Sequence, residues 1–238
     1  MQKPAVLFDL GNTLVSYYRK EEFTPVLELC ITNVIQELQR MEVGGIKPEA
    51  ALAAALQENQ EARDHHFSPL WPRLARIFRM PLHGSPALFD TMCTVFMQPI
   101  FATANVYEDT IPVLQSLKEA GFKTAIVSNS PWGSSPALWR AELHRLGLLQ
   151  LVDKVILCGD VGWRKPAPQI FRHAAKSLGE PCENCLFVGD DPEWDVYGSS
   201  AVGMQSLLLD RTNFHDEWYG DKLRNLDELA ERLLGPVP

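Results

Sequence analysis

The sequence has little of several things, and each shortage excludes something. Cysteine is sparse: Cys30, Cys93, Cys158, Cys182 and Cys185 are an odd number spread along 238 residues, which is no disulfide framework. The one CxxC, Cys182 to Cys185, has no second pair of ligands at zinc spacing. It leads into the apolar run Leu186-Phe187-Val188 instead of opening a helix, so it reads as buried thiols at a strand entrance. No stretch reaches the roughly 20 apolar residues needed to span a bilayer. Met1 to Val6 runs straight into a strand-like segment with no signal-peptide pattern, so a cytoplasmic location is expected. Long Lys/Arg runs are missing too, and 22 basic against 30 acidic side chains leave a net charge of −8. Nucleic acid and membrane are thereby disfavoured as partners. There is no internal repeat and no low-complexity segment.

What is present is a pattern of short apolar runs alternating with helical periodicity. Ala5 to Phe8, Thr124 to Val127, Lys154 to Leu157, Leu186 to Val188 and Ser206 to Leu209 are too short for helices, and each ends in a polar or Gly-containing turn. Such runs suggest strands buried on both faces, hence a parallel sheet. Helices are expected over Thr110 to Ala120, Ser135 to Leu146, Pro168 to Leu178, Val196 to Ala201 and Leu226 to Leu234. The stretch from about Tyr17 to Asn105 differs. Its apolar positions recur at helical spacing (Val26, Leu29, Cys30, Val34, Ile35, Leu38, then Ala50 to Leu56, Trp71 to Phe78 and Ala87 to Phe101), with no strand-like run between them. The fold class is therefore α/β, a parallel sheet with helices on both faces and an inserted all-helical lobe.

Ligands of parallel sheets bind at the carboxyl ends of the strands. After the first run come Asp9, Gly11, Asn12 and Thr13; after the second, Ser128, Asn129 and, on the same rim loop, Trp132. After the third comes the turn carrying Arg164-Lys165-Pro166, and after the fourth Asp190, Asp191 and Asp195. A carboxylate can attack phosphorus once the substrate's negative charge is neutralised, and a hard divalent ion on oxygen ligands such as Asp9, Asp190 and Asp195 would neutralise it. Lys165 would steady phosphate and carboxylate charge, and Ser128 would bond the phosphoryl oxygens. Asp191 and Glu193 read as solvated loop acids, Thr13 as ordering the first loop, and Trp132 as lining the pocket or covering core.

These segments, in this order, resemble the haloacid dehalogenase-like (HAD) hydrolase superfamily. They are Phe8-Asp9-Leu10-Gly11-Asn12-Thr13-Leu14, Ile126-Val127-Ser128-Asn129, Arg164-Lys165-Pro166 and Val188-Gly189-Asp190-Asp191 with Asp195. The resemblance implies a Rossmann-like core of residues 1–16 and 106–238 with a helical cap at 17–105. It implies a phosphatase for a small phosphorylated metabolite, working as a monomer or homodimer. Asp9 would be the nucleophile that becomes aspartyl-phosphate, and Ser128 and Lys165 would bind phosphate, with Thr13, Asn129 and Trp132 as further substrate-side candidates. Asp9, Asp190 and the Gly11 carbonyl would ligate Mg2+, with Asp195 joining directly or through water.

One position departs from the family. Its phosphatases carry a second Asp, the general acid and base, where this chain has Gly11. General acid–base help is worth about 10²–10⁴-fold, so either the lobe or the substrate must supply the proton. Arg63, His65 and His66 in the lobe are candidates, and Tyr17, Tyr18 and Arg19 follow the first motif where they would meet substrate. A metal-free haloacid dehalogenase and a weakly active HAD-fold binding protein are the alternative readings. The first gives the Gly-Asp-Asp segment no purpose; the second draws on Gly11.

Overall fold

The computed structural model describes residues 3–59, 63–80 and 85–235. Its main sheet has six strands: β1 (Ala5–Phe8), β4 (Thr124–Ser128), β5 (Lys154–Leu157), β6 (Cys185–Gly189), β7 (Gln205–Leu209) and β8 (Lys222–Leu223), in the spatial order β5-β4-β1-β6-β7-β8. Every pairing in it is parallel. Successive side chains alternate between two cores. Val6, Phe8, Ile126, Leu186 and Val188 join one apolar cluster, and Ala5, Leu7, Ala125, Val127, Cys185 and Phe187 join the other. This two-sided burial is why the runs read as continuous apolar segments.

Helices close both faces. The sequence bounds of α8 (Pro168–Leu178) and α10 (Leu226–Leu234) match the observed ones. Both have clear punctuation. Pro168 starts α8 without losing a needed N–H, and Gly179 ends it in the left-handed region. Asn225 caps α10 by accepting from the Glu228 N–H at 3.0 Å. α5 (Thr110–Glu119) and α6 (Pro136–Arg145) end within two residues of expectation, and α7 (Cys158–Val161) is a single turn after β5.

The expected helix over Val196 to Ala201 is corrected. A six-residue π-helical turn covers Pro192–Tyr197, and α9 (Gly198–Ser200) is only three residues long. The Asp191 carboxylate caps that turn, accepting from the Glu193 and Trp194 N–H groups at 2.8 Å each. The wider winding lets Asp195 face inward.

Between β2 (Val15–Ser16) and β3 (Asn105–Val106) the described elements are four α-helices: α1 (Phe23–Arg40), α2 (Pro48–Glu58), α3 (Leu70–Ile77) and α4 (Pro86–Ala102), with one 3-10 turn at Lys20–Glu22 before α1. β2 and β3 pair antiparallel, so the chain enters and leaves this segment side by side. α1 buries Leu27, Ile31, Val34 and Leu38, at steps of three and four, chiefly against α4, whose Met92, Phe96, Met97 and Ile100 are buried in turn. Truncating a side chain like Phe96 to Ala costs about 3–5 kcal/mol. The two-residue strands β2, β3 and β8 carry no periodicity and were not expected from sequence.

Candidate active site

Register brings the functional side chains to one edge. Phe8 pairs with Ile126 on one side and Val188 on the other, and Ser128 lies opposite Leu157. Asp9, Ser128, Lys165, Asp190 and Asp195 all line one cavity of about 470 Å³ at this edge.

Charge dominates its floor. The buried Lys165 ammonium donates to Asp9 Oδ1 and to Asp195 Oδ1, both at 2.6 Å. Carboxylate oxygens of Asp9, Asp190 and Asp195 lie within 4.8 Å of one another. Three acids therefore meet around one lysine. Burial alone would pull the Lys165 ammonium down, but the Asp195 and Asp9 charges outweigh it and hold it above its ordinary value. Burial pushes the Asp190 carboxyl up, and repulsion from Asp9 and Asp195 adds to it. Asp195 is pushed up as well, by burial foremost, with Lys165 opposing and Asp9 reinforcing. One ammonium does not balance three carboxylates in a dry site. Hard oxygen donors carrying surplus negative charge suit a hard divalent cation, so these residues fit Mg2+ on donor chemistry.

Neighbouring groups hold this arrangement. Gly189 is required by close approach: a Cβ there would stand 2.3 Å from Asp195 Oδ2. Asp195 Oδ2 also accepts from the Asp191 N–H at 3.1 Å. The Asn12 amide donates to Asp190 Oδ2 at 3.2 Å, linking the loops after β1 and β6. Behind the first loop, Arg211 forms a two-pronged ion pair with Asp109 at 2.8 Å and donates to the Thr13 carbonyl at 2.8 Å. The Thr110 hydroxyl holds the Leu14 carbonyl at 2.8 Å.

Of the residues expected on the substrate side, Thr13 lies outside the cavity and Asn129 lines it. Thr13 is fully buried, its hydroxyl has no hydrogen-bond partner among the described residues, and it is not among the cavity's lining residues. The loop is ordered through the Thr13 carbonyl and Arg211, not through the hydroxyl. Asn129 lines the cavity, but its side chain is engaged: its oxygen accepts from the Lys165 N–H at 2.8 Å and its amide donates to the Lys165 carbonyl at 3.2 Å. That pair makes it a clamp on the lysine loop.

Trp132 lines the cavity while being only 4% exposed. Its backbone sits at φ 60°, ψ 7°, a left-handed conformation costing a bulky residue roughly 1–3 kcal/mol. Phe96 meets its ring edge-on at 5.3 Å. Gly133 follows at φ 69°, and a Cβ on it would collide with the Ser68 carbonyl. The segment around Ser68 thus lies directly on the rim loop.

His65 and His66 explain that contact and are not cavity-lining residues. Arg164 N–H donates to the His65 carbonyl at 2.8 Å, Phe67 N–H to the Gly162 carbonyl at 3.0 Å, and the His66 ring packs against Trp163 at 3.8 Å, tilted by 35°. The histidines strap the helical segment onto the loop that carries Lys165. Arg63 does not line the cavity, and Arg19 pairs with Glu22 on the surface. Tyr17 and Tyr18 do line it. Sequence reasoning assigned no site role to Phe23, Asn59, Ile100, Trp139, Arg164 or Trp194, which also line it. Arg164 stood beside Lys165 in the motif; the others carried no local signal. The CxxC thiols are free, with Cys185 buried at the start of β6. Among the described residues no helix is long and apolar enough to cross a membrane.

Comparison with known proteins agrees with this geometry. A family model described as haloacid dehalogenase-like hydrolase matches residues 3–203. The chain is 30% identical over 216 residues to the glyceraldehyde 3-phosphate phosphatase of Methanopyrus kandleri, covering 89% of this chain and 86% of that protein. It is 31% identical over 223 residues to the ribulose-1,5-bisphosphate 5-phosphatase of Halopiger xanaduensis, covering 89% and 87%. Among solved structures, a HAD phosphatase from Thermococcus onnurineus superimposes with a TM-score of 0.67 at 28% identity, covering 98% of both chains.

Proposed function

The chain belongs to the haloacid dehalogenase-like hydrolases, and we propose that it is a Mg2+-dependent phosphatase that hydrolyses a small phosphorylated metabolite through an aspartyl-phosphate. The observation that carries this reading is the convergence of Asp9, Asp190 and Asp195 around Lys165. A haloacid dehalogenase works without a metal and gives the Gly189-Asp190-Asp191 segment no clear purpose, whereas in a phosphatase these carboxylates would hold the cation.

Asp9 attacks phosphorus through a carboxylate oxygen, the ester P–O bond breaks, and its electron pair leaves on the alcohol oxygen. Lys165 and the Ser128 hydroxyl hold the phosphoryl oxygens as charge spreads over them. Water then hydrolyses the acyl phosphate, releasing phosphate and restoring Asp9. Asp9, Asp190 and the Gly11 carbonyl, with Asp195 directly or through water, would hold Mg2+, which when bound offsets phosphoryl charge. With glycine at position 11, the departing oxygen has no carboxylic acid beside it on this loop. The helices of residues 17–105 are read as a cap over a core of 1–16 and 106–238, supported by Tyr17, Tyr18, Phe23, Asn59 and Ile100 lining the cavity.

The test is turnover of phenyl phosphate and acetyl phosphate with Mg2+. Asp9→Asn is expected to reduce it by on the order of 10⁴-fold or more, and EDTA is expected to abolish it until Mg2+ is restored. Undiminished turnover in either case overturns the reading.

A further inference from the structure

We propose that the natural substrate is the phosphate ester of a phenol, its ring lying in the aromatic half of the cavity. The inference rests on the phosphatase reading and adds the chemical class of the leaving group. Two independent observations carry it.

The first is the lining. Beyond the charged floor, Tyr17, Tyr18, Phe23, Ile100, Trp132 and Trp139 face the cavity. They brace one another: Trp139 meets Tyr17 edge-on at 5.8 Å and Phe101 at 5.1 Å, and its indole N–H is held by the Ser134 hydroxyl at 2.7 Å. Trp132 keeps its place despite a left-handed backbone. A ring buried here gains apolar burial and edge or face contacts. A polyol would not fare so well. It would give up water on entry, and two of the three lining amides among the described residues, those of Asn12 and Asn129, are already engaged with Asp190 and Lys165.

The second is Gly11. A Cβ there would meet nothing within 4 Å, so packing does not demand glycine. A glycine there brings no side-chain proton donor to the departing oxygen. A phenol, with a pKa of about 10 as in tyrosine, leaves as its anion far more readily than an alkyl alcohol, a far weaker acid. The balance is simple: the Asp9 O–P bond forms, the aryl O–P bond breaks, its electron pair leaves on the phenolate, and solvent protonates it. An aromatic leaving group thus suits both the pocket and the missing acid.

The experiment compares wild-type kcat/KM for phenyl phosphate, glyceraldehyde 3-phosphate and acetyl phosphate, and inhibition by phenylphosphonate and methylphosphonate. Phenyl phosphate is expected to exceed glyceraldehyde 3-phosphate by at least about 10²-fold, in line with the acid help it does without. Phenylphosphonate is expected to inhibit at a concentration at least about tenfold below methylphosphonate, the effect of one buried ring contact. Trp132→Ala should erase that advantage and Trp132→Phe should keep it; the wild-type comparison stands even if the alanine variant fails to fold. Equal inhibition by the two phosphonates, or preference for glyceraldehyde 3-phosphate, overturns the proposal while acetyl phosphate turnover leaves the phosphatase reading intact. No turnover of any of the three compounds overturns both.

Discussion

At the carboxyl edge of the sheet, Asp9, Asp190, Asp195 and Lys165 are held by charge and hydrogen bonds. On the helical side of the same cavity, Phe23 and Ile100 are held by apolar packing alone. The charged side leaves no slack. Asp195 approaches Gly189 too closely for any Cβ, and Asn129 grips the Lys165 backbone from both ends. The apolar side has a different tolerance, because a side chain held by dispersion and burial can be replaced by another of similar volume at modest cost. The difference teaches which changes should stop the chemistry and which should only alter what is bound.

After loss of the Asp9 nucleophile, the largest effect is expected at Lys165. Lys165→Met removes the one ammonium between Asp9 and Asp195, and kcat should fall by on the order of 10³-fold for every phosphate ester. Steady-state rates on phenyl and acetyl phosphate check this, and a loss confined to one of them would break the contrast between the two sides.

Next is a stability change. Arg211→Ala strands Asp109 and frees the Thr13 carbonyl in a largely buried pair, and should cost about 3 kcal/mol. Urea unfolding reads it directly. A change below about 0.5 kcal/mol would place this ion pair with ordinary surface pairs.

Gly11→Asp is expected to gain function. The position has room for a Cβ, so the variant should fold and raise kcat/KM on alkyl phosphates by about 10²-fold, with less effect on phenyl phosphate. Equal gains on both esters would show that leaving-group protonation is not what glycine omits.

The smallest effect is expected on the helical side. Ile100→Val should cost about 1 kcal/mol of stability and act on KM more than on kcat. A kcat loss as large as that of Lys165→Met would erase the distinction between the sides.

Much of this was legible beforehand. β1 was read at its observed bounds because a strand buried on both faces appears as an unbroken apolar run, β5 from the apolar Val155-Ile156-Leu157 that follows its exposed Lys154, and α8 and α10 because punctuation marks their ends. The gathering of Asp9, Ser128, Lys165, Asp190 and Asp195 was legible because residues that follow parallel strands share one edge. The π-helical turn at Pro192–Tyr197 was not, since an α-helix and a π-turn share local preferences and differ in hydrogen-bond register, here set by the Val196 N–H donating to the Asp191 carbonyl. Nor was the duty of Asn129, whose partner is a backbone 36 residues away.

By itself the sequence determined the strand pattern, the helical insertion and the acid and lysine set at the strand ends, because each is written in local periodicity or in position relative to a strand. Tertiary structure alone decided that Trp132, Trp139, Phe23 and Ile100 share a cavity wall, that Thr13 turns inward and that the histidines serve as a strap. Helical spacing tells which side chains are buried. It does not tell which of them a cavity exposes, for that depends on how segments distant in sequence pack against one another.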